Sequence, residues 1–263
     1  MGEGNIMENQ EGNKEIRILV AVPRAGFTVV EAVDNQWDMA MFLGRLSVNS
    51  PFKFYSATIG RLFVAKAREE FAKYAIQMEC EYLFMIDDDM ICPPDLFLQL
   101  YNRIQEKPEI DVLAPLAFQR RPPYYPVVYM QRDGWDPIRK ETYFANEIVK
   151  NYPKDKLFEC DAVGFGAVLI KVSILKKMLE PRFMSTSPSG EDILFCYNAR
   201  AVGARVFVDT SIKIAHLGAP EIVTEETYEK HNNMEQAREY YGECAEKTLD
   251  KKNESDNSNH SNL

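Results

Sequence analysis

Residues 81–97, EYLFMIDDDMICPPDLF, decide the fold. Tyr82–Ile86 is an apolar run without a polar break, the signature of a strand buried on both faces. It stops on Asp87-Asp88-Asp89, and Pro93-Pro94-Asp95 opens a helix predicted to reach about Gln105. A buried strand, an abrupt polar end and a helix make half of a parallel crossover unit. Upstream, Ile16–Val22 is a β-branched run closed by Pro23. Val29–Leu46 has helical spacing, Phe52–Ile59 suits a strand, and Leu62, Ala65, Ala72, Ala75 and Ile76 share a helix face. Downstream, Ile110–Ala114 is the next strand. The pattern then changes character. Val127–Met130 with Asp133-Gly134 predicts a hairpin turning at Asp-Gly. Leu157–Val163 and Ala167–Lys171 are predicted strands around Gly164-Phe165-Gly166. Helices are predicted near Val172–Leu179 and from Glu191 to about Ala201, and Ala204–Val208 and Ile212–Ala215 return to strand.

The whole is an α/β chain, a parallel half merging into a mixed-sheet half. Residues 1–14 are polar and aperiodic, as are 251–263, and both are expected to be disordered. Residues 220–250 read as a helical extension whose Tyr228, Tyr240 and Tyr241 can pack on the domain or on a second subunit of a homo-oligomer. The net charge of −9 argues against non-specific nucleic-acid or anionic-membrane binding as the main activity. The five cysteines form no CxxC pair and no zinc-finger spacing with the three histidines, so reduced thiols in a soluble, cytoplasmic protein are expected. No run approaches the ~20 apolar residues of a membrane span.

Three adjacent carboxylates at a strand end repel one another unless a cation compensates, and strand carboxyl ends are where ligands sit in open α/β sheets. Alternate carboxylates can converge on a hard divalent cation and leave sites for diphosphate oxygens; the bland alternative is an acidic turn before a helix. Gly190-Glu191-Asp192 opens a helix, either as plain capping or as a general base with a partner carboxylate. His216 follows the apolar run Ile212–Ala215. It is either structural or an imidazole completing a metal shell, which would favour Mn²⁺ over Mg²⁺. Gly164 and Gly166 allow close approach of a ligand or mark a bulge. Pro23-Arg24, Arg61, Lys66 and Arg68 can meet a nucleotide's base and phosphates, or be solvated cations. The loop Phe118–Tyr125 mixes arginines and aromatics suited to sugar stacking and diphosphate contacts, or to loop packing.

In order and together, these pieces resemble the glycosyltransferase A fold, close to the family 2-like nucleotide-sugar enzymes. The resemblance spans residues 16–218. It rests on IRILVAVPRAG, AKAREEFAKYA, EYLFMIDDDMICPPDLF, CDAVGFGAVLIKVSIL, and SGEDILFCYNARAVGARVFVD followed by IAHLG. It implies a single Rossmann-like domain over residues 15–219, with a mixed, mostly parallel sheet flanked by helices. It implies a metal-dependent transfer of a sugar from a nucleoside-diphosphate donor, UDP- or GDP-linked, to an acceptor hydroxyl. Asp89 would bind the metal directly, Asp87 the ribose or the metal through water, and His216 would be a further ligand. Asp88 would be the variable middle position of the donor-binding motif. Asp192 would be the base, with Glu191 beside it, and inversion would follow. Gly164 and Gly166 would border the sugar, and Pro23 and Arg24 the nucleobase. The acceptor would be a glycan, protein, lipid-linked sugar or modified base, chosen by residues 117–159. The family often carries Arg-Asn where this chain has Arg68-Glu69. The competing expectations are a sugar-phosphate nucleotidyltransferase, for which VPRAGFT is a poor phosphate loop, and a non-catalytic nucleotide- or glycan-binding module.

Overall fold

The structure is a computed structural model that describes residues 14–26, 28–48, 50–136, 140–186, 189–218 and 222–232. Its elements in chain order are β1 (Ile16–Arg24), α1 (Val30–Val48), β2 (Phe52–Gly60), α2 (Val64–Gln77), β3 (Tyr82–Ile86), β4 (Met90–Ile91), α3 (Leu96–Glu106) and β5 (Val112–Leu116). They continue with β6 (Val128–Asp136), β7 (Glu141–Ile148), β8 (Leu157–Glu159), β9 (Ala162–Val163), β10 (Ala167–Lys171) and α4 (Val172–Leu175). Last come α5 (Glu191–Ala201), β11 (Val206–Lys213), β12 (Ala215–Leu217), β13 (Ile222–Val223) and α6 (Glu225–Asn232).

A seven-stranded sheet in the order β2-β1-β3-β10-β5-β11-β8 forms the centre. β2, β1 and β3 are mutually parallel, as are β5 and β11; β10 and β8 run against their neighbours. β3 shows why an unbroken apolar run belongs here. Leu83 and Met85 enter the core under α2 and α5, while Tyr82, Phe84 and Ile86 enter the core under α1 and α3. Period-2 alternation between two apolar faces leaves no room for a polar residue. The result is a three-layer, Rossmann-like α/β arrangement. Two three-stranded sheets, β13-β12-β4 and β7-β6-β9, are attached to it.

The first half follows the sequence reading closely, with one correction: β1 continues through Pro23 and Arg24. Pairing with β3 ends at Ala21, whereas pairing with β2 persists to Arg24, so Pro23 sits beside one strand only. The second half departs more. Asp133-Gly134 is not a turn but lies inside β6, whose ladder with β7 runs from Tyr129↔Ile148 to Asp136↔Glu141. The ladder closes on Asp136↔Glu141, and Lys140, just before β7, takes a left-handed φ of 54°. The expected strand 157–163 splits in two at Asp161, whose carboxylate accepts the Gln131 amide at 2.6 Å and pairs with Arg200 at 2.6 Å. α4 stops at Leu175 rather than Leu179, ahead of Glu180-Pro181. The two strands expected at 204–208 and 212–215 are one strand, β11, followed by β12.

α5 ends as its sequence dictates. Gly203 has φ +93°, its amide donates to Arg200 O at 2.9 Å and the Ala204 amide to Ala199 O at 3.0 Å, the paired bonds of a glycine-terminated helix. Of the expected C-terminal extension, α6 is helical. Tyr228 in it packs on the domain, stacking on Phe118 with ring centres 5.1 Å apart. Tyr240, Tyr241 and the rest of 233–263 lie outside the described residues, as do residues 1–13 of the lead.

Candidate active site

β3 ends at the carboxyl edge of the sheet, and the three aspartates that follow part company there. Asp87 is tied down by its own amide, which donates to Gly166 O at 2.8 Å. Its carboxylate Oδ1 accepts Arg68 Nη2 at 2.6 Å. Asp88 turns the other way and accepts the Ala25 amide at 2.9 Å, fixing the loop that leaves β1. Asp89 Oδ2 lies 3.1 Å from His216 Nε2 and accepts Arg120 Nη1 at 2.9 Å. The Leu217 amide donates to Asp89 O at 2.8 Å, so β12 is stitched directly to the triplet. A residue 127 positions downstream is thereby brought into contact with the acidic turn.

Arg68 sits in the middle of α2 with 2% of its side chain exposed. Its guanidinium bridges Asp87 and Glu191 and also donates to Phe165 O at 3.2 Å. Its Nε is buried without a partner. Next to it on the helix, Glu69 reaches the other way. Its carboxylate takes Arg182 Nη1 at 2.8 Å and the Arg182 and Phe183 amides at 2.7 and 3.2 Å. The neighbouring Arg68 and Glu69 thus hold Glu191 on one side and Arg182-Phe183 on the other.

Asp87, Glu191, Asp192, Arg68, Gly164, Gly166 and His216 line one cavity of about 200 Å³. Asp89 stands at its rim through His216. The glycines are there because the walls are close: a Cβ on Gly164 would meet Val127 at 2.8 Å, and one on Gly166 would meet the end of Met90 at 3.0 Å. Pro23, Arg24, Asp88 and Arg61 do not line this cavity. Pro23 is buried inside β1, and Arg24 donates to Thr28 and Gln36 and lines a separate groove of about 510 Å³ between α1 and β2. Arg61 is exposed, and its amide donates to Arg24 O at 3.3 Å.

The electrostatics differ from residue to residue. Burial raises Asp87 to about 6, more than the neighbouring Arg68 can offset. Burial also pushes Asp89 up, but the His216 hydrogen bond and charge, with Arg120, outweigh it and hold Asp89 below its ordinary value. Burial works against a charged His216, yet Asp89 and the Phe118 carbonyl raise its pKa overall. Asp192 is raised, chiefly by burial and against the pull of Arg68. His216 Nδ1 lies 2.9 Å from Phe118 O, and beside a carbonyl that nitrogen can only donate. Nε2 is thus the atom turned toward Asp89, free to present a lone pair when the ring is neutral.

Among the described residues, no three His, Cys, Asp or Glu side chains converge as a metal cage. Asp89 and His216 do come together, and a carboxylate with an imidazole suits Mn²⁺ or Mg²⁺ when phosphate oxygens fill the remaining positions. Asp87, expected to meet the ribose or the metal through water, gives one oxygen to Arg68. The sequence reading had no signal for Glu69 or Arg182, or for the Phe118 carbonyl that orients His216. Arg120 lay within the loop singled out for diphosphate contacts.

No protein-family model and no curated protein sequence matches this chain. Among solved structures, A197 from STIV superimposes with a TM-score of 0.51 at 18% identity, covering 80% of this chain and 94% of its own. The likeness is one of fold. More distant are GalNAc-T7, solved with UDP, GalNAc and Mn²⁺, at a TM-score of 0.42 and 14% identity over 78% of this chain and 44% of its own. Apo UDP-glucose pyrophosphorylase gives 0.46 and 11% identity over 87% of this chain and 99% of its own. No helix among the described residues is long and apolar enough to cross a membrane. Cys80, Cys92, Cys160 and Cys196 are buried free thiols; Cys244 lies outside the described residues.

Proposed function

We propose that this chain is a divalent-metal-dependent glycosyltransferase, moving a sugar from a UDP- or GDP-linked donor to an acceptor hydroxyl with inversion. The observation that carries the reading is the 3.1 Å approach of His216 to Asp89, at the rim of the cavity that Asp192 and Glu191 line. A carboxylate–imidazole pair suited to a cation, beside a cavity lined by a buried carboxylate suited to act as base, supports this reading over that of a binding module.

Asp89 and His216 would hold the cation, which supplies positive charge to the departing diphosphate. Glu191 is committed to Arg68, which leaves Asp192 as the carboxylate of the pair able to take a proton. Burial raises the proton affinity of Asp192, as a general base working near neutrality requires. Arg68 joins Glu191 and Asp87 by standing between them, and so offsets the repulsion of two carboxylates on one cavity. Gly164 and Gly166 let a sugar-sized group approach the backbone. The domain boundary is proposed at residues 15–219, with the β6–β7 hairpin in the acceptor region.

The test is thermal stability against uridine, guanosine, cytidine and thymidine diphosphates with and without Mn²⁺, together with release of diphosphate from the matching sugar donor. A Mn²⁺-dependent shift with one nucleotide is expected, abolished in Asp89→Ala. Asp192→Ala should keep the shift and lose ~10²–10⁴-fold in donor turnover. Equal shifts in wild type and Asp89→Ala would defeat the metal assignment, and unchanged turnover in Asp192→Ala would defeat the assignment of the base.

A further inference from the structure

Three groups meet on one atom at the rim of the cavity. Asp89 Oδ2 accepts Arg120 Nη1 at 2.9 Å, and the same oxygen lies 3.1 Å from His216 Nε2. The three are not equally free to leave. Asp89 is fixed through its backbone: the Leu217 amide donates to its carbonyl at 2.8 Å, and the next residue, Met90, pairs with His216 across β4 and β12. His216 is fixed by that pairing and by its Nδ1, 2.9 Å from the Phe118 carbonyl. The carboxylate and the imidazole therefore stay where the sheet puts them.

Arg120 is held differently. The backbone of its loop is closed by the Phe118↔Pro126 bridge, by the Gln119 amide donating to Tyr125 O at 2.8 Å, and by the Tyr124 amide donating to Arg121 O at 2.9 Å. Those bonds fix where the side chain starts and not where it ends. The side chain is more than half exposed, and Asp89 is the one carboxylate it pairs with among the described residues. A long, exposed arginine in a single ion pair changes rotamer at the cost of that pair alone. Of the three groups, the guanidinium is the one that moves.

Charge decides when it moves. With Arg120 on one side of Oδ2 and His216 on the other, both lone pairs of that oxygen are engaged. Asp89 offers one to a cation only by releasing Arg120, and the released guanidinium then faces a like charge across a few ångströms. A diphosphate arriving on the same cation gives it a new partner, since phosphate oxygens form charge-assisted, often bidentate bonds with arginine.

We propose that Arg120 stands in for the metal ion in the empty protein and passes from Asp89 to the donor's diphosphate when ion and donor bind together. The inference rests on the metal-dependent reading of the site given above. No covalent bond changes; one ion pair is exchanged for another. The consequence is cooperative binding. Metal alone has to push Arg120 into solvent, and diphosphate alone has to compete with Asp89 for it, whereas the two together satisfy every charge. The site thereby resists filling with a cation when no donor is present. Arg121, next in the chain and also exposed, takes no part, because Asp89 pairs with Arg120 and not with it.

The experiment compares the full chain as wild type, Arg120→Met and Arg121→Met in two measurements. One is Mn²⁺ binding without nucleotide, followed by the paramagnetic resonance signal of free Mn²⁺. The other is calorimetric binding of uridine and guanosine diphosphates with Mn²⁺ present. In Arg120→Met the two are expected to move in opposite directions. Mn²⁺ alone should bind ~3–5-fold tighter, since nothing has to be displaced, and the diphosphate that wild type prefers should bind at least ~10-fold weaker. Arg121→Met removes the same charge from the same loop and should leave Mn²⁺ binding within ~2-fold of wild type. A loop that was merely damaged would lose on both measurements, and a change in the general field would affect both variants alike. Mn²⁺ binding in Arg120→Met that equals or falls below wild type overturns the exchange while leaving the Asp89–His216 site standing, as does an equal gain in Arg121→Met or unchanged diphosphate binding in Arg120→Met. A wild type that takes up no Mn²⁺ with or without diphosphate brings down the metal assignment itself, and this proposal with it.

Discussion

The two walls of the cavity carry the same charge and manage it in opposite ways. On one, Asp87 and Glu191 are neutralised from inside by Arg68, a guanidinium shut off from solvent. On the other, Asp89 is met by His216 and by Arg120, whose side chain is 57% exposed. The inner wall is permanently compensated. The outer one is held by groups that can move aside or give up a proton, so it is the wall that can exchange its counter-charge for an external cation. A sequence of three consecutive aspartates gives no hint of this, because the difference comes from which element each one meets.

The sharpest way to break the comparison is to remove the cation from each wall. Arg68→Met strands two carboxylates in a buried site and is expected to cost ~3–5 kcal/mol in urea-induced unfolding, whereas Arg120→Met should cost under ~1 kcal/mol. Similar losses at both positions would show that the walls are equivalent. The next largest contrast lies in the aspartates themselves, in metal-free protein. The folded pKa of Asp87, at about 6, lies above its ordinary 3.8, so its contribution to stability is fully present below 3.8 and is lost as pH rises through 6. Asp89 is lowered, so its contribution is present above 3.8 and is lost as pH falls through its folded value. At pH 7, Asp87→Asn should therefore raise the melting temperature and Asp89→Asn should lower it. Shifts of the same sign would remove the distinction.

A smaller effect tests what supports the outer wall. Glu225 accepts Tyr152 Oη at 2.8 Å and Lys154 Nζ at 2.7 Å, and pairs with Lys213 at 2.5 Å. It thereby anchors α6 under Phe118, whose carbonyl orients His216. Burial opposes its charge, but the lysines and the tyrosine hydroxyl lower it from 4.5 to about 2. Its contribution is complete above 4.5 and is lost as pH falls toward 2. Glu225→Gln should cost ~1–2 kcal/mol at pH 7, allowing for solvent screening, and flatten the acid limb of the melting curve below pH 5. An unchanged acid limb would show that α6 is not held this way.

Legibility in the sequence divides along the same line as the fold. From β1 to α3 the elements could be read because each is set by local pattern: β3 begins and ends where the apolar run does. From β6 to β9 the pattern misleads, since Asp133-Gly134 is locally a turn and is overridden by a ladder continuing to Asp136↔Glu141. At the site, Asp87, Asp192, Glu191 and His216 could be picked out as chemistry-bearing residues at element ends. Their pairing could not: Arg68 reads as a phosphate contact, not as the bridge between Asp87 and Glu191. Arg68 and Glu69 occupy ordinary positions in a helix, and only the approach of the 182–191 segment gives each one a carboxylate or a cation to hold.

That neighbouring pair has a mechanical consequence. Because Arg68 holds Glu191 while Glu69 holds the Arg182 guanidinium and the Arg182 and Phe183 amides, two neighbouring residues of α2 tie one helix to two separate stretches of chain. A displacement of α2 along its axis would therefore strain both contacts at once.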